Sequence, residues 1–555
     1  MNSRQLQPPV PRHRSLRHFL SHVVWTRGVS AFFDGEVPFS FSNGDLMVDW
    51  IFGLAKRVGL GKRDIAIKEY GAGLGVLARG VVQRLTDFTV ETEWTYCISE
   101  YSDQTVMTHR TVFSTPNDSV RFAVEDIIRS EPEFGSYDVI ILNYLLDSLP
   151  TAHLSHSPNG LREYFIESRI DTRDPIIDSV HYPPAYVDPS ELDEWIRTLS
   201  LVEAAFVAPI ISKKIIEKPV IKPVTSLDKD ELAWLNEYCS SSDEAPQVFN
   251  FPLGLFRILD RLWDEISPDG VIWIFDVAGV ASDSCDMMTV GFRGVVCYPL
   301  ATGLIEWYWQ KRGGVVSKSS VRPGLPVGMT LSKKEIVTDS EINGMCDPRL
   351  VDFGDDLEIS LNLVTPQDPT YREKMAAIEK SVPKEIATDY HVCMHLALKW
   401  SQLGHYGQAL DWLSPVFKRY KTVAISAQTL AARCFKMLGN MTEAKHRLLD
   451  VLLVAPDCSH AYKELSLIAL KEKDWDRFLN LSIQSVQHGN QDLPWNVILT
   501  IGLLKIQARN YDEARSLLIH LGTQIRRHPQ LFQPEFNDRV KAAMGLLENP
   551  SQITL

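Results

Sequence analysis

The chain has no C-x-x-C pair and only eight cysteines in 555 residues: Cys97, Cys239, Cys285, Cys297, Cys346, Cys393, Cys434 and Cys458. Scattered in this way they make neither a disulfide framework nor a zinc site, so no metal is expected and a reducing compartment suits them. No apolar run approaches the roughly 18 residues that a spanning helix needs, which argues against a membrane span. Positive charge is not in excess either. The formal net charge is −13, so nucleic acid is not the expected partner. Acid is missing from the first 33 residues, which carry Arg4, Arg12, Arg14, Arg17 and Arg27. An organellar presequence has that composition, and so does a frayed basic arm leading into a helix near residues 16–25. Pro8, Pro9 and Pro11 spoil an amphipathic helix at the extreme end and favour the arm. The expected compartment is cytoplasmic, with mitochondrial as the alternative.

What is present is ordinary for a globular protein, with 45% hydrophobic and 23% charged residues, in a chain too long for one core. Between residues 65 and 277 apolar strands alternate with helical stretches, the pattern of a parallel sheet covered by helices. The expected strands are 65–70, 95–100, 121–125, 137–142 and 271–275, with helices at about 76–85 and 252–266. The expected division is a basic arm and helix (1–40), an α/β domain (41–364), a linker (365–384) and a helical array (385–555). An insertion at about 151–250, rich in Pro, Ser and charge, is not required by the sheet and reads as a lid or decoration. Its Pro-punctuated run 215–223 is expected to be extended and edge-like.

The last third repeats itself. Leu403-Gly404-His405-Tyr406-Gly407-Gln408-Ala409 is echoed by Leu438-Gly439-Asn440-Met441-Thr442-Glu443-Ala444. Weaker echoes begin at Lys473 and Arg509. Successive offsets lie close to the 34-residue period of tetratricopeptide repeats. The Gly or polar residue makes the turn, and the small residue five positions later lets two helices approach. Such arrays hold peptides or proteins without naming them.

Ile65–Tyr70 runs into Gly71-Ala72-Gly73-Leu74-Gly75, giving E-x-G-x-G-x-G after a strand. Glycines are expected where a cofactor lies against the backbone and the turn visits positive φ. Gly73-Leu74-Gly75-Val76-Leu77-Ala78 also satisfies the dinucleotide pattern G-x-G-x-x-A, so a nicotinamide enzyme stays open as an alternative. Glu69, directly before the glycines, suits the amino group of a methionine moiety better than a pyrophosphate. Glu100, ending the second strand, can accept both ribose hydroxyls of an adenosine, or be a plain strand-terminal acid. Asp126, after the third strand, offers an acid to an adenine amino group, or ordinary charge at a helix start.

Three further segments sharpen this reading. Glu69-Tyr70-Gly71-Ala72-Gly73-Leu74-Gly75-Val76-Leu77 resembles the E-x-G-x-G-x-G-x-L segment of the MidA-like methyltransferases. Asn143-Tyr144-Leu145-Leu146-Asp147-Ser148-Leu149-Pro150 is similar to that family's N-E-F-F-D-A-L-P motif, with Tyr144 where the family carries an acid. Gly270-Val271-Ile272-Trp273-Ile274-Phe275-Asp276 resembles its fifth strand. The resemblance covers roughly residues 40–300. It implies an α/β Rossmann-like methyltransferase domain followed by an all-α tetratricopeptide-like solenoid. It further implies S-adenosyl-L-methionine bound by Glu69, Gly71, Gly73, Gly75 and Glu100, and substrate-side roles for Asn143 and Asp147. The implied reaction is methylation of a protein, with arginine as the family's acceptor, and the helical repeats would recruit the protein partner. The other expectation is a repeat scaffold whose methyltransferase-like domain no longer catalyses. Asp147 is the expected acid for a guanidinium; otherwise it caps a helix.

Overall fold

The computed structural model describes residues 3–18, 21, 45–59, 64–73, 75–88, 93–113, 119–171, 215–241, 247–278, 290–292, 295–320, 326–346, 353–420, 425–456, 458–472, 474–487, 499, 502–503, 505–507, 509–527 and 534–548. By compactness it falls into two units, one of residues 8–168 and 204–458, the other of residues 1–7, 169–203 and 459–555. The division expected at residues 364 and 385 does not coincide with this one.

The larger unit is built on a seven-stranded sheet. Its strands are β1 (Asp64–Tyr70), β2 (Glu93–Glu100), β3 (Val120–Val124) and β4 (Tyr137–Asn143). After the insertion, whose strands are β5 (Thr151–Ser157), β6 (Gly160–Asp171), β7 (Ile215–Pro223) and β8 (Val248–Pro252), the sheet continues with β9 (Ile266–Val277), β10 (Val315–Lys318) and β11 (Pro326–Ser332). The order is β10-β11-β9-β4-β1-β2-β3, and the five strands from β9 to β3 are parallel. β11 runs antiparallel to both its neighbours. The result is an α/β fold with a mixed sheet, and the five expected strands all lie in it.

Parallel strands covered on both faces read as near-continuous apolar runs. Tyr137–Leu142 and Val271–Val277 are buried at every position. The helices α1 (Asp45–Val58), α2 (Val76–Phe88), α3 (Asp103–Val112), α4 (Lys229–Ser241), α5 (Leu255–Glu265) and α6 (Thr302–Lys311) accompany this sheet. α5 buries Leu255, Phe256, Ile258, Leu259 and Leu262, the i, i+3, i+4, i+7 stripe of a core-facing helix. The chain leaves β1 for β2 and β3 on one side, then returns to place β4 on the other. That reversal opens a crevice at the carboxyl ends of β1 and β4.

The insertion is a second sheet. β5 pairs antiparallel with β6 and with β8, and β7 pairs with β6. The run 215–223 is thus extended, as its prolines suggested. Residues 172–214 and 242–246 of the insertion lie outside the described residues. The arm at the start is not frayed. Arg12 is 3% exposed, and Glu217 on β7 receives both Arg12 and Arg17 at 3.6 and 3.5 Å. A counter-charge contributed by the insertion, invisible to local sequence reading, holds it. Of the expected helix near residues 16–25, only 16–18 and 21 are described, and they are helical.

The helical region forms hairpins. In the larger unit α7 (Tyr390–Gln402) pairs with α8 (Tyr406–Tyr420), and α9 (Ile425–Met437) with α10 (Met441–Val454). In the smaller unit α11 (Ser459–Lys471) pairs with α12 (Trp475–Gln487), and α13 (Tyr511–Arg527) packs on α14 (Pro534–Glu548). All four echoed segments make the same turn. The N–H groups of His405, Asn440, Asp474 and Asn510 donate to the carbonyls of Trp400, Phe435, Ala469 and Lys505 at 2.9–3.0 Å. This is the six-to-one bond that closes a helix through a left-handed residue. Gly404 and Gly439 take that conformation at φ +81° and +84°, and in the fourth copy Arg509 takes it at φ +59°. Ala409, Ala444 and Ala514 are fully buried where the partner helix approaches.

Beneath the crevice lies a buried ion network. Lys68, on the central strand and 0% exposed, places Nζ 3.0 Å from Glu125 and 3.5 Å from Glu265. Arg261 of α5 reaches the same two carboxylates at 3.4 and 2.9 Å. The Tyr70 hydroxyl donates to Glu265 and the Ser99 hydroxyl to Glu125. Two cations thus balance two anions with few polar atoms left over, the condition under which a buried network is tolerated. Lys68→Met should lower unfolding stability by roughly 3–5 kcal/mol, because it strands a buried carboxylate. Denaturant titration checks this, and a loss under 1 kcal/mol would mean the network is dispensable.

Candidate cofactor site

Glu69, Gly71, Gly73 and Gly75 form one wall of the crevice. The three glycines have φ of +68°, +62° and +71°, which side-chain-bearing residues rarely adopt. The Gly71 N–H donates to Ser99 O at 2.8 Å, so the turn is tied to β2 as it leaves the sheet. Their surroundings differ. A Cβ on Gly71 would stand 3.0 Å from Leu145 Cδ1, and one on Gly75 would stand 2.9 Å from the His109 ring. A Cβ on Gly73 would meet nothing within 4 Å. Gly71 and Gly75 are therefore glycine for packing, whereas Gly73 faces open space that a ligand can fill.

Glu100 ends β2 beside this space. Its Oε1 accepts the Gly73 N–H at 2.8 Å and lies 3.5 Å from His109 Nε2. The loop and the expected ribose-binding acid are thus joined directly. Glu69 is 1% exposed and accepts the Tyr96 hydroxyl at 2.6 Å. Burial pushes its carboxyl up to about 7; the Tyr96 hydrogen bond opposes this and the Glu100 charge adds to it. Asp126 is only partly occupied, its Oδ1 taking the Ile128 N–H at 2.9 Å and its Oδ2 lying 3.6 Å from Arg129. Its neighbour Glu125 is consumed by Lys68, Ser99 and Arg261.

Across the crevice, β4 ends at Asn143, whose Oδ1 is buried with no hydrogen-bond partner. A buried orphan acceptor is costly unless a ligand or water satisfies it. Tyr144 follows at φ +51°, with its N–H on Phe275 O at 2.8 Å and its ring edge-on to Phe275. Non-glycine residues held in this region gather at functional sites. Its conformation has no signal in the sequence.

Asp147, for which the resemblance implied a substrate-side role, is enclosed. It lies in a short turn (Leu146–Ser148), is 0% exposed, and faces Asp276 at the end of β9. Asp276 Oδ2 accepts the N–H groups of Leu146 and Asp147 at 2.9 and 3.3 Å, which fastens the turn to β9. Burial, and then the neighbouring Asp147 charge, hold the Asp276 carboxyl well above the usual carboxylate range. The Tyr298 N–H donates to Asp147 O at 2.7 Å and closes the turn from the other side. Asn143 and Asp147 thus follow the same strand end, Asn143 with its Oδ1 unpaired and Asp147 turned toward Asp276. His109 and Asp276 carry site geometry that sequence reasoning did not assign. Asp276 stood in a recognised motif, whereas His109 stands in an ordinary helix and gave no signal.

The donor set combines a glycine cradle, a strand-terminal glutamate and a buried acid before the glycines. A family model described as "Putative S-adenosyl-L-methionine-dependent methyltransferase" matches residues 46–206. No curated protein matches the chain. Among solved structures, a Burkholderia thailandensis protein bound to S-adenosyl-homocysteine is 12% identical, with a TM-score of 0.36, covering 59% of this chain and 95% of its own. Magnesium protoporphyrin IX methyltransferase from Synechocystis, with bound S-adenosylmethionine, is 10% identical with a TM-score of 0.27, covering 57% and 97%. TM-scores below 0.5 add nothing to the case for function. Among the described residues no group of three or more His, Cys, Asp or Glu could hold a metal ion, and no helix is long and apolar enough to cross a membrane.

The raised Glu69 carboxyl has a consequence for stability. A group whose folded value exceeds its unfolded one favours the native state below about 4.5 and loses that contribution as pH rises through about 7. Wild-type stability should therefore fall relative to Glu69→Gln between pH 5 and 8, by at most about 1.4 kcal/mol per pH unit. Parallel slopes in denaturant titrations across that range would show that Glu69 titrates normally.

Proposed function

We propose that this chain is an S-adenosyl-L-methionine-dependent methyltransferase acting on a protein, with the tetratricopeptide-like hairpins as the recruiting surface. The observation that carries the reading is the open space in front of Gly73, whose N–H is tied to Glu100, with the orphaned Asn143 Oδ1 at the end of the neighbouring strand β4. Glu100 would hold the ribose hydroxyls, the Gly71–Gly75 backbone would lie against the adenosine and methionine parts, Glu69 would attract the amino group, and Asp126 Oδ2 would meet the adenine. The bound cofactor supplies an electrophilic methyl group. The chain's own task is to position an acceptor in line with that methyl group and to take up one proton. Asn143 would orient the acceptor from the end of β4.

A second reading has its own support: a domain that binds the cofactor and serves assembly without transfer. The burial of Asp147 against Asp276 favours it, because no exposed carboxylate then meets a guanidinium. Arginine as the acceptor requires that turn to open.

Gly73→Ala should bring S-adenosylhomocysteine binding below detection by calorimetry while the domain stays folded, destabilised only by the roughly 1–2 kcal/mol that a side chain costs at φ +62°, because its Cβ has no protein neighbour. Unchanged affinity would remove Gly73 from the site, and stabilisation by NAD in place of S-adenosylhomocysteine would transfer the site to a dinucleotide.

Methyl transfer is tested with labelled cofactor and lysate protein. If Asp147 takes the proton, Asp147→Asn should keep cofactor affinity and cut transfer by about 10²–10⁴-fold. Unchanged transfer would confine Asp147 to holding its turn. Binding with no transfer by either protein would establish the second reading.

A further inference from the structure

His109 is a buried polar side chain that the reading above leaves unused. It stands on α3, is 1% exposed, and neither ring nitrogen has a hydrogen-bond partner. Its neighbours on one side are aromatic: Phe113 at 6.3 Å between ring centroids and Phe122, stacked at 6.5 Å. The other side meets the candidate site. The Gly75 backbone passes so close that a Cβ there would lie 2.9 Å from His109 Nδ1 and Cε1, and His109 Nε2 is 3.5 Å from Glu100 Oε1. An imidazole kept only for packing would be replaced at lower cost by an apolar ring, since an unpaired buried polar group is destabilising.

The same Glu100 oxygen already accepts the Gly73 N–H. A carboxylate oxygen can accept two donors, and the imidazole lies a few tenths of an ångström beyond the second bond. Catalytic hydrogen bonds are often long without ligand and tighten when it binds. We propose that His109 is a positioning residue for the cofactor's ribose: with the Gly73 N–H it anchors Glu100 Oε1, so that Oε2 is held for the ribose hydroxyls. The inference rests on the cofactor site proposed above and adds a residue behind it. His109 itself touches no ligand; it acts through Glu100, and through Gly75 it holds the loop against the same carboxylate.

The test is calorimetry on the full chain with S-adenosylhomocysteine and with its 2′,3′-dideoxy analogue. His109→Phe and His109→Leu remove the donor and keep bulk between Phe113 and Phe122, whereas His109→Gln keeps a donor on a side chain of similar reach. The first two should weaken S-adenosylhomocysteine about tenfold, the worth of one hydrogen bond to a charged group. They should leave the dideoxy analogue at wild-type affinity, and His109→Gln should recover most of the loss. Added to Glu100→Ala, His109→Phe should weaken S-adenosylhomocysteine no further. Equal losses for both ligands, or full additivity with Glu100→Ala, would make His109 a packing residue and overturn the proposal, as would wild-type affinity in both apolar variants. If one apolar variant fails to fold, the other carries the comparison. Should the wild type itself bind no S-adenosylhomocysteine, the site reading fails first and this inference with it.

Discussion

A lysine on the central strand of a buried sheet is the constraint from which the rest follows. Lys68 cannot reach water, so β2, β3, β4 and α5 must bring groups to it: Ser99, the acid after β3, Tyr137 and the Arg261–Glu265 pair. Each comes from a different element, and Lys68 and Arg261 share the Glu125 and Glu265 carboxylates between them. Breaking such a set leaves an uncompensated buried charge, so the elements must arrive in one arrangement. That arrangement fixes the ends of β1, β2 and β4, which are the walls of the crevice.

On this floor the glycine loop does two kinds of work. Gly71 and Gly75 are pressed against Leu145 and His109, whereas Gly73 is left facing space. Glu100 then links the loop to its surroundings through the Gly73 N–H, so cradle and acid move together. The opposite wall follows another logic. Asp276 on β9 gathers the N–H groups of the 146–148 turn and draws Asp147 inward beside it. The two walls are therefore unequal: one offers an open cradle, the other a closed turn with Asn143 at its edge.

The hairpins show how one backbone solution tolerates different side chains. Four turns use the same six-to-one hydrogen bond, yet glycine fills the left-handed position in two and Arg509 in another. Left-handed backbone costs a non-glycine residue about 1–2 kcal/mol, which the packing of α13 and its buried Ala514 can offset. This is why the echo at Arg509 looks weaker in sequence than in structure.

Features with a local cause could be read from the sequence alone. Near-continuous apolar runs placed the central strands β4 and β9, because strands buried on both faces admit little else. Positive-φ glycines after a strand marked the loop, and a near-constant spacing marked the hairpins. Glu69 and Glu100 were legible because strand ends and glycine turns fix where their side chains start. What tertiary structure decided depends on partners distant in the chain. Glu217 captures Arg12 and Arg17 across some 200 residues, so the basic arm is packed instead of frayed. Asp276 meets Asp147 only once β9 lies beside β4, which sets the expected acid in a buried carboxyl pair. His109 comes within 3.5 Å of the Glu100 oxygen that takes the Gly73 N–H only because α3 folds back over the loop. Periodicity reports which face a residue takes, whereas the group it meets there is set by chain crossings that no local pattern records.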